Sequence, residues 1–181
     1  MDYQSWDKQA GITSLKEKFG IGQELIQTFF PPYVYLNQEA IREKGLDQEE
    51  VERAVAAEMM KFDGVSLAIS STALMDGSVA DTDINRLILN SHNPRRSGDV
   101  FVVFEPHRFV NDFEGLTVAV THGSPWRYDT YVPVIFAGAG LKPQRVYREI
   151  ETVDVASTLS EFIGTNRPSG ARGQVLPEVV Q

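Results

Sequence analysis

The run Thr121-His-Gly-Ser-Pro-Trp-Arg-Tyr-Asp-Thr-Tyr-Val-Pro-Val-Ile-Phe-Ala-Gly138 joins two apolar, strand-like segments through a loop that carries a histidine. Residues 116–120 read as the incoming strand and residues 132–136 as the outgoing one. Loops at strand ends are common places for ligands and catalytic groups. A neutral imidazole at position 122 is a competent zinc donor, and its second ring nitrogen then needs an orienting acceptor. Asp129 is a candidate for that acceptor. On residue type alone, a lone histidine beside glycine is more often a hydrogen-bonded turn residue. One imidazole also falls short of the three protein ligands that a catalytic zinc generally takes. His92 and His107 have no ligand spacing to His122, and no HExxH run is present. A Ser124/His122/Asp129 triad is disfavoured, because no Gly-x-Ser-x-Gly elbow surrounds Ser124 and Pro125 follows it directly.

Composition narrows the classes. The 181 residues include 17 Lys plus Arg and 25 Asp plus Glu, a formal charge of −8. An acidic chain grips a phosphate backbone poorly, and the compact basic pair Arg95-Arg96 is too small a footprint for nucleic acid. With no cysteine, disulfides, zinc thiolates and thiol nucleophiles are all excluded. The first residues have neither a basic nor an apolar signal region, and no run reaches the roughly 18 apolar residues that span a bilayer.

Working outward, the pattern predicts an α/β chain with a small mixed sheet and flanking helices. Residues 23–30 suggest a helix that Pro31-Pro32 must end. Residues 33–36 and 65–69 read as strands. Asp47 with Glu50 three later opens the clearest helix, whose apolar face is Val51, Ala54, Val55, Met59 and Phe62. A second helix is expected over residues 81–90, with Ile84, Leu87 and Ile88 inward. Residues 100–104 are continuously apolar, the mark of a strand covered on both faces. Residues 146–150 suggest one more short strand. A last helix, capped by Asp154 or Thr152, carries Val155, Leu159 and Phe162 on one face and has Gly164 at its C′ position. Arg95 and Arg96 are expected in a turn, and Ser97-Gly98-Asp99 leads into the strand at Val100. Trp126 and Arg127 are candidates for lining a cleft, and Tyr128 and Asp129 for bracing the His122 loop.

The 121–138 run resembles the last metal-binding motif of the alkaline phosphatase superfamily, in the branch of type I phosphodiesterases, nucleotide pyrophosphatases and threonine-nucleophile monoesterases. Three further stretches resemble that branch in the same order: Tyr33-Val-Tyr-Leu-Asn37 with the helix after it, Asn90-Ser-His-Asn-Pro-Arg-Arg-Ser-Gly-Asp-Val100, and Ile150-Glu-Thr-Val-Asp-Val-Ala-Ser-Thr-Leu159. The resemblance implies an alkaline-phosphatase-like fold, with residues 1–104 an inserted cap-like subregion and residues 105–181 the C-terminal part of the core. It implies a phosphoric ester hydrolase with two zinc ions in the intact parent, to which His122 donates. A phosphate ester is then the substrate, and an exported parent is implied.

The family's upstream Asp ligand, its Thr or Ser nucleophile, its Asp-x-x-x-His pair and its Ser-Asp-His-Gly motif have no counterpart here. The expectation is therefore a C-terminal portion with no catalytic nucleophile of its own, weak zinc binding and no activity alone. Exposed apolar surface would favour self-association. The competing expectations are a non-catalytic binding or scaffold module on the same fold, and a sulfatase or phosphoglycerate-mutase relative.

Overall fold

Strand β4 (Val100–Phe104) is the centre of the larger part of the molecule. The computed structural model describes residues 10–110, 112–113, 116–138 and 140–180. These fall into two compact units that divide between Tyr131 and Val132.

In the first unit, β1 (Ile26–Phe30), β2 (Tyr33–Leu36), β4 and β3 (Val65–Ser70) form one sheet in the order β1-β2-β4-β3. The expected small sheet with flanking helices is present, and its pairings are all antiparallel rather than of both directions. β4 is interior, and its side chains alternate between two cores. Val100 and Val102 join Leu15, Leu25, Val34, Leu36, Val51, Val55 and Met59 on one face. Phe101 and Val103 join Ile69, Leu74 and Ile88 on the other. Each such burial stabilises by about 1.5–3 kcal/mol, so a continuous apolar run is what a strand sandwiched on both sides requires.

The first core is covered by α1 (Ala10–Phe19), α2 (Gln38–Glu43) and α3 (Gln48–Met59). Asp47 caps α3 as expected, accepting from the Glu50 amide at 2.8 Å. The Glu50 carboxylate itself pairs with Lys18 at 3.0 Å. The second core is covered by α4 (Ser71–Asp76) and α5 (Asp83–Ser91). In α5, Ile88 is buried as expected, but Leu87 is exposed and Asn85 takes an inward place, donating from Nδ2 to the Ala80 carbonyl at 2.8 Å.

Residues 23–30 are not a helix. A single 3-10 turn, Gln23–Leu25, precedes β1, whose Ile26, Thr28, Phe29 and Phe30 are β-branched or aromatic and pair with β2 across the Pro31-Pro32 turn. Residues 116–120 also fall short of a strand. Only Leu116–Thr117 (β6) pairs, with Asp112–Phe113 (β5).

The second unit holds α7 (Asp154–Phe162) and α8 (Pro177–Val180), with α6 (Arg127–Thr130) lying before the division. Residues 132–136 and 146–150, expected as strands, are irregular. A strand needs a ladder partner for its backbone groups, and among the described residues these segments have none. Asp154 does not cap α7 from outside. It is the first helical residue, and its carboxylate accepts from the Glu151 amide at 3.0 Å and the Gln174 amide at 2.7 Å. Those two bonds hold its pKa below the usual carboxylate range. Gly164 occupies C′ as expected. The Gly164 and Thr165 amides donate to the Glu161 and Ser160 carbonyls at 3.1 and 2.9 Å.

Candidate functional site

His122 stands in the loop between β6 and α6 and is exposed. It lines a cleft of about 340 Å³ together with His107, Ser124, Tyr128, Asp129 and the end of β4. Three contacts fix the walls of this cleft. Asp129 Oδ2 accepts both the Ser124 amide, at 3.0 Å, and the Ser124 hydroxyl, at 2.5 Å. Trp126 Nε1 donates to the Phe104 carbonyl at 2.8 Å, while its ring packs on the second core. Tyr128 accepts the His107 amide at 3.0 Å and stacks on the His107 ring at 4.6 Å. His107 has a φ of +64°, a region costly for a side chain other than glycine, and the Tyr128 contacts offset that cost.

The bracing expected of Tyr128 and Asp129 is therefore present. Asp129, however, serves Ser124 and not the His122 ring. The same bond bears on the disfavoured triad, since Ser124 reaches its carboxylate with no imidazole between them. Trp126 is an anchor and does not line the cleft. Arg127 lies over the Tyr131 ring, 5.1 Å from its centroid. Arg108, on the cleft wall, is tied to Asp63 and Glu105, each at 3.0 Å, which raises its pKa further.

The Asn93–Asp99 motif turns out to lock the sheet. Arg95 and Arg96 are exposed in a turn, as expected. A Cβ on Gly98 would lie 2.7 Å from both Tyr33 Cβ and the Val34 carbonyl oxygen, so the chain passes too close to β2 for any side chain. Asp99 then accepts the Leu36 amide at 2.7 Å and Gln38 Nε2 at 2.9 Å. Its burial pushes the carboxyl pKa up, and the Leu36 bond opposes this. His92 lies 3.0 Å from Ser71 Oγ, and desolvation lowers its pKa against the pull of Glu52. His92 is not part of the cleft. Sequence reasoning missed the aligned His107–Tyr128 pair, which is visible only once the loop folds back.

Among the described residues, no group of three His, Cys, Asp or Glu side chains is placed to hold a metal ion. Since a catalytic zinc takes three protein donors, these residues do not complete such a site.

No family model matches the chain. Curated relatives do. Over 148 residues it is 28% identical to alkaline phosphatase PhoV of Synechococcus elongatus, covering 82% of this chain and 26% of PhoV. Over 167 residues it is 26% identical to alkaline phosphatase PafA of Elizabethkingia meningoseptica, covering 92% of this chain and 30% of PafA. A protein named calcium-transporting ATPase, from Myroides odoratus, is 29% identical over 92% of this chain and 30% of its own length. The crystal structure of PafA superposes with a TM-score of 0.81 at 24% identity, over 99% of this chain and 33% of PafA. The chain is similar to alkaline phosphatases in sequence over most of its length, and to PafA in fold.

It spans about a third of the length of the relatives it matches. Among the described residues the cleft holds two histidines, His107 stacked on Tyr128 and His122 exposed on the loop that Asp129 braces through Ser124. Among the described residues no helix is long and apolar enough to cross a membrane.

Proposed function

We propose that this chain is one portion of a metal-dependent phosphohydrolase, of the phosphomonoesterase or type I phosphodiesterase kind, and that His122 donates to its zinc centre. The observation that carries this is an exposed imidazole on a cleft whose walls are held by Ser124–Asp129, Trp126–Phe104 and His107–Tyr128. Zinc pairs in such centres stabilise negative charge on a transferring phosphoryl group. The chain's own residues supply only the orientation of one donor. The nucleophile and the other donors come from outside residues 1–181. On this reading residues 1–104 are the cap-like subregion and residues 105–181 part of the core, and the chain alone hydrolyses no phosphate ester.

The test is a zinc titration of the 181-residue chain and of His122→Ala, followed by the same pair fused in place of the matched segment of PafA. The chain alone binds zinc weakly. The fusion hydrolyses a phosphate ester, and His122→Ala lowers its zinc affinity by more than about 100-fold, beyond the range that loss of a mere outer-shell partner gives. Equal, sub-micromolar zinc affinity in both forms would remove His122 from the metal site and favour a non-catalytic scaffold.

A further inference from the structure

Helix α7 turns its polar side into its own unit and its apolar side away. Asp154, Ser157 and Thr158, spaced i, i+3 and i+4, are buried. Leu159, Phe162 and Ile163 are 43%, 40% and 69% exposed. With half-buried Val155 they form one stripe, because residues three and four apart lie above one another on a helix. Earlier in the same unit, Ile135 and Tyr147 are 82% and 87% exposed.

The stripe cannot be buried by rolling the helix. Thr158 Oγ1 donates to the Asp154 carbonyl at 2.7 Å and accepts the Leu176 amide at 3.0 Å. Ser157 Oγ donates to the Gly173 carbonyl at 2.9 Å, and the Asp154 carboxylate holds the Gln174 amide. Rotation would break the bonds to Gly173, Gln174 and Leu176, and an unpaired buried polar group is costly. An amphipathic helix locked this way round must be covered from outside.

We propose that the stripe of Val155, Leu159, Phe162 and Ile163 docks on the complementary two thirds of an alkaline phosphatase fold. This rests on the reading above that the chain is one portion of a phosphohydrolase. Two observations choose that occupant over a second copy. PafA carries this fold over 99% of the chain as only 33% of its own length, so the same framework there adjoins twice as much protein. In addition, a nine-residue helix offers one short stripe. That is well below the roughly 800 Å² per partner of a stable, self-sufficient interface.

The absence of cysteine from the sequence makes thiol footprinting clean. Leu159→Cys, Phe162→Cys and the exposed control Lys142→Cys would each be reacted with a thiol reagent, in the full chain at two concentrations and in the PafA fusion, with the unsubstituted fusion as background. In the chain alone the two stripe positions react at the control's rate, whatever the concentration. In the fusion they slow by about tenfold or more, as protected positions do, and Lys142→Cys does not. Equal rates in chain and fusion overturn the proposal. So does slowing with concentration in the chain alone, which would mean that a second copy covers the stripe. The double variant Leu159→Ser, Phe162→Ser should leave thermal unfolding of the chain alone unchanged; loss of folding would make the stripe its own core. Labelling does not depend on hydrolysis. A fusion that shields the introduced thiols but cleaves no phosphate ester keeps the docking surface and sinks the phosphohydrolase reading, and cleavage without shielding does the reverse.

Discussion

A single carboxylate oxygen, Asp129 Oδ2, takes both the amide and the hydroxyl of Ser124, two residues beyond His122. Hydrogen bonds to charged acceptors are each worth about 1.5–3 kcal/mol when partly buried. Asp129→Ala should therefore loosen the His122 loop while leaving the sheet intact. The Ser124 amide should exchange at least about tenfold faster, read by NMR, with β4 amides unchanged. An unaltered Ser124 rate would mean that Trp126 alone holds the loop. Gly98 gives a second prediction of this kind. Its neighbours at 2.7 Å include the Val34 backbone, which cannot step aside. Gly98→Ala should cost about 1–3 kcal/mol, measured by denaturant unfolding, as overpacking does. Asp129 was legible in the sequence as an acceptor near His122, but not the partner it chose. The spacing between positions 122, 124 and 129 does not say which donor the folded loop presents.

Among the elements, the legible ones were those decided locally. Helix α3 has its cap at Asp47 and its apolar positions in register with the turn, so neighbours within the segment settle it. Strand β4 was legible because its five consecutive apolar residues are all valine or phenylalanine, which suit a strand covered on both faces. β1 was not, since Gln27 and Thr28 interrupt its apolar residues, and so short a mixed segment does not separate a strand from a helical turn. Residues 132–136 show the opposite failure. Their composition suits a strand, but no ladder partner lies among the described residues, so they stay irregular. In α7 the apolar stripe was legible and its outward direction was not, because the direction is set by Thr158 and Ser157 reaching the distant 173–176 segment. Thr158→Val tests this zipper. It keeps the shape, leaves the Leu176 amide unpaired, and should cost about 1–3 kcal/mol in thermal or denaturant unfolding. A neutral result would mean that the helix is held by something other than its polar face.

Across the whole molecule, two carboxylates give acid stability opposite signs. Asp99 is raised above its ordinary 3.8 by burial. Its proton binds more tightly in the folded state, so ionising it opposes folding, and this penalty fades as pH falls through the raised value toward 3.8. Glu178 is lowered from 4.5 to about 2, chiefly by Arg148, whose Nε and Nη2 meet its two oxygens at 2.6 and 2.8 Å. Its contribution is fully present above 4.5 and is lost as pH falls from there toward 2. The two act in different units. Acidification should therefore relieve the sheet around β2 and β4 and, below 4.5, release the link between α8 and the 144–148 segment. Glu178→Gln should flatten the loss of melting temperature below pH 4.5, and Arg148→Ala should return the Glu178 carboxyl, followed by NMR, from about 2 toward 4.5. A Glu178 that already titrates near 4.5 in the folded wild-type chain would show that the guanidinium does not hold it. The low-pH melting would then have to come from other carboxylates.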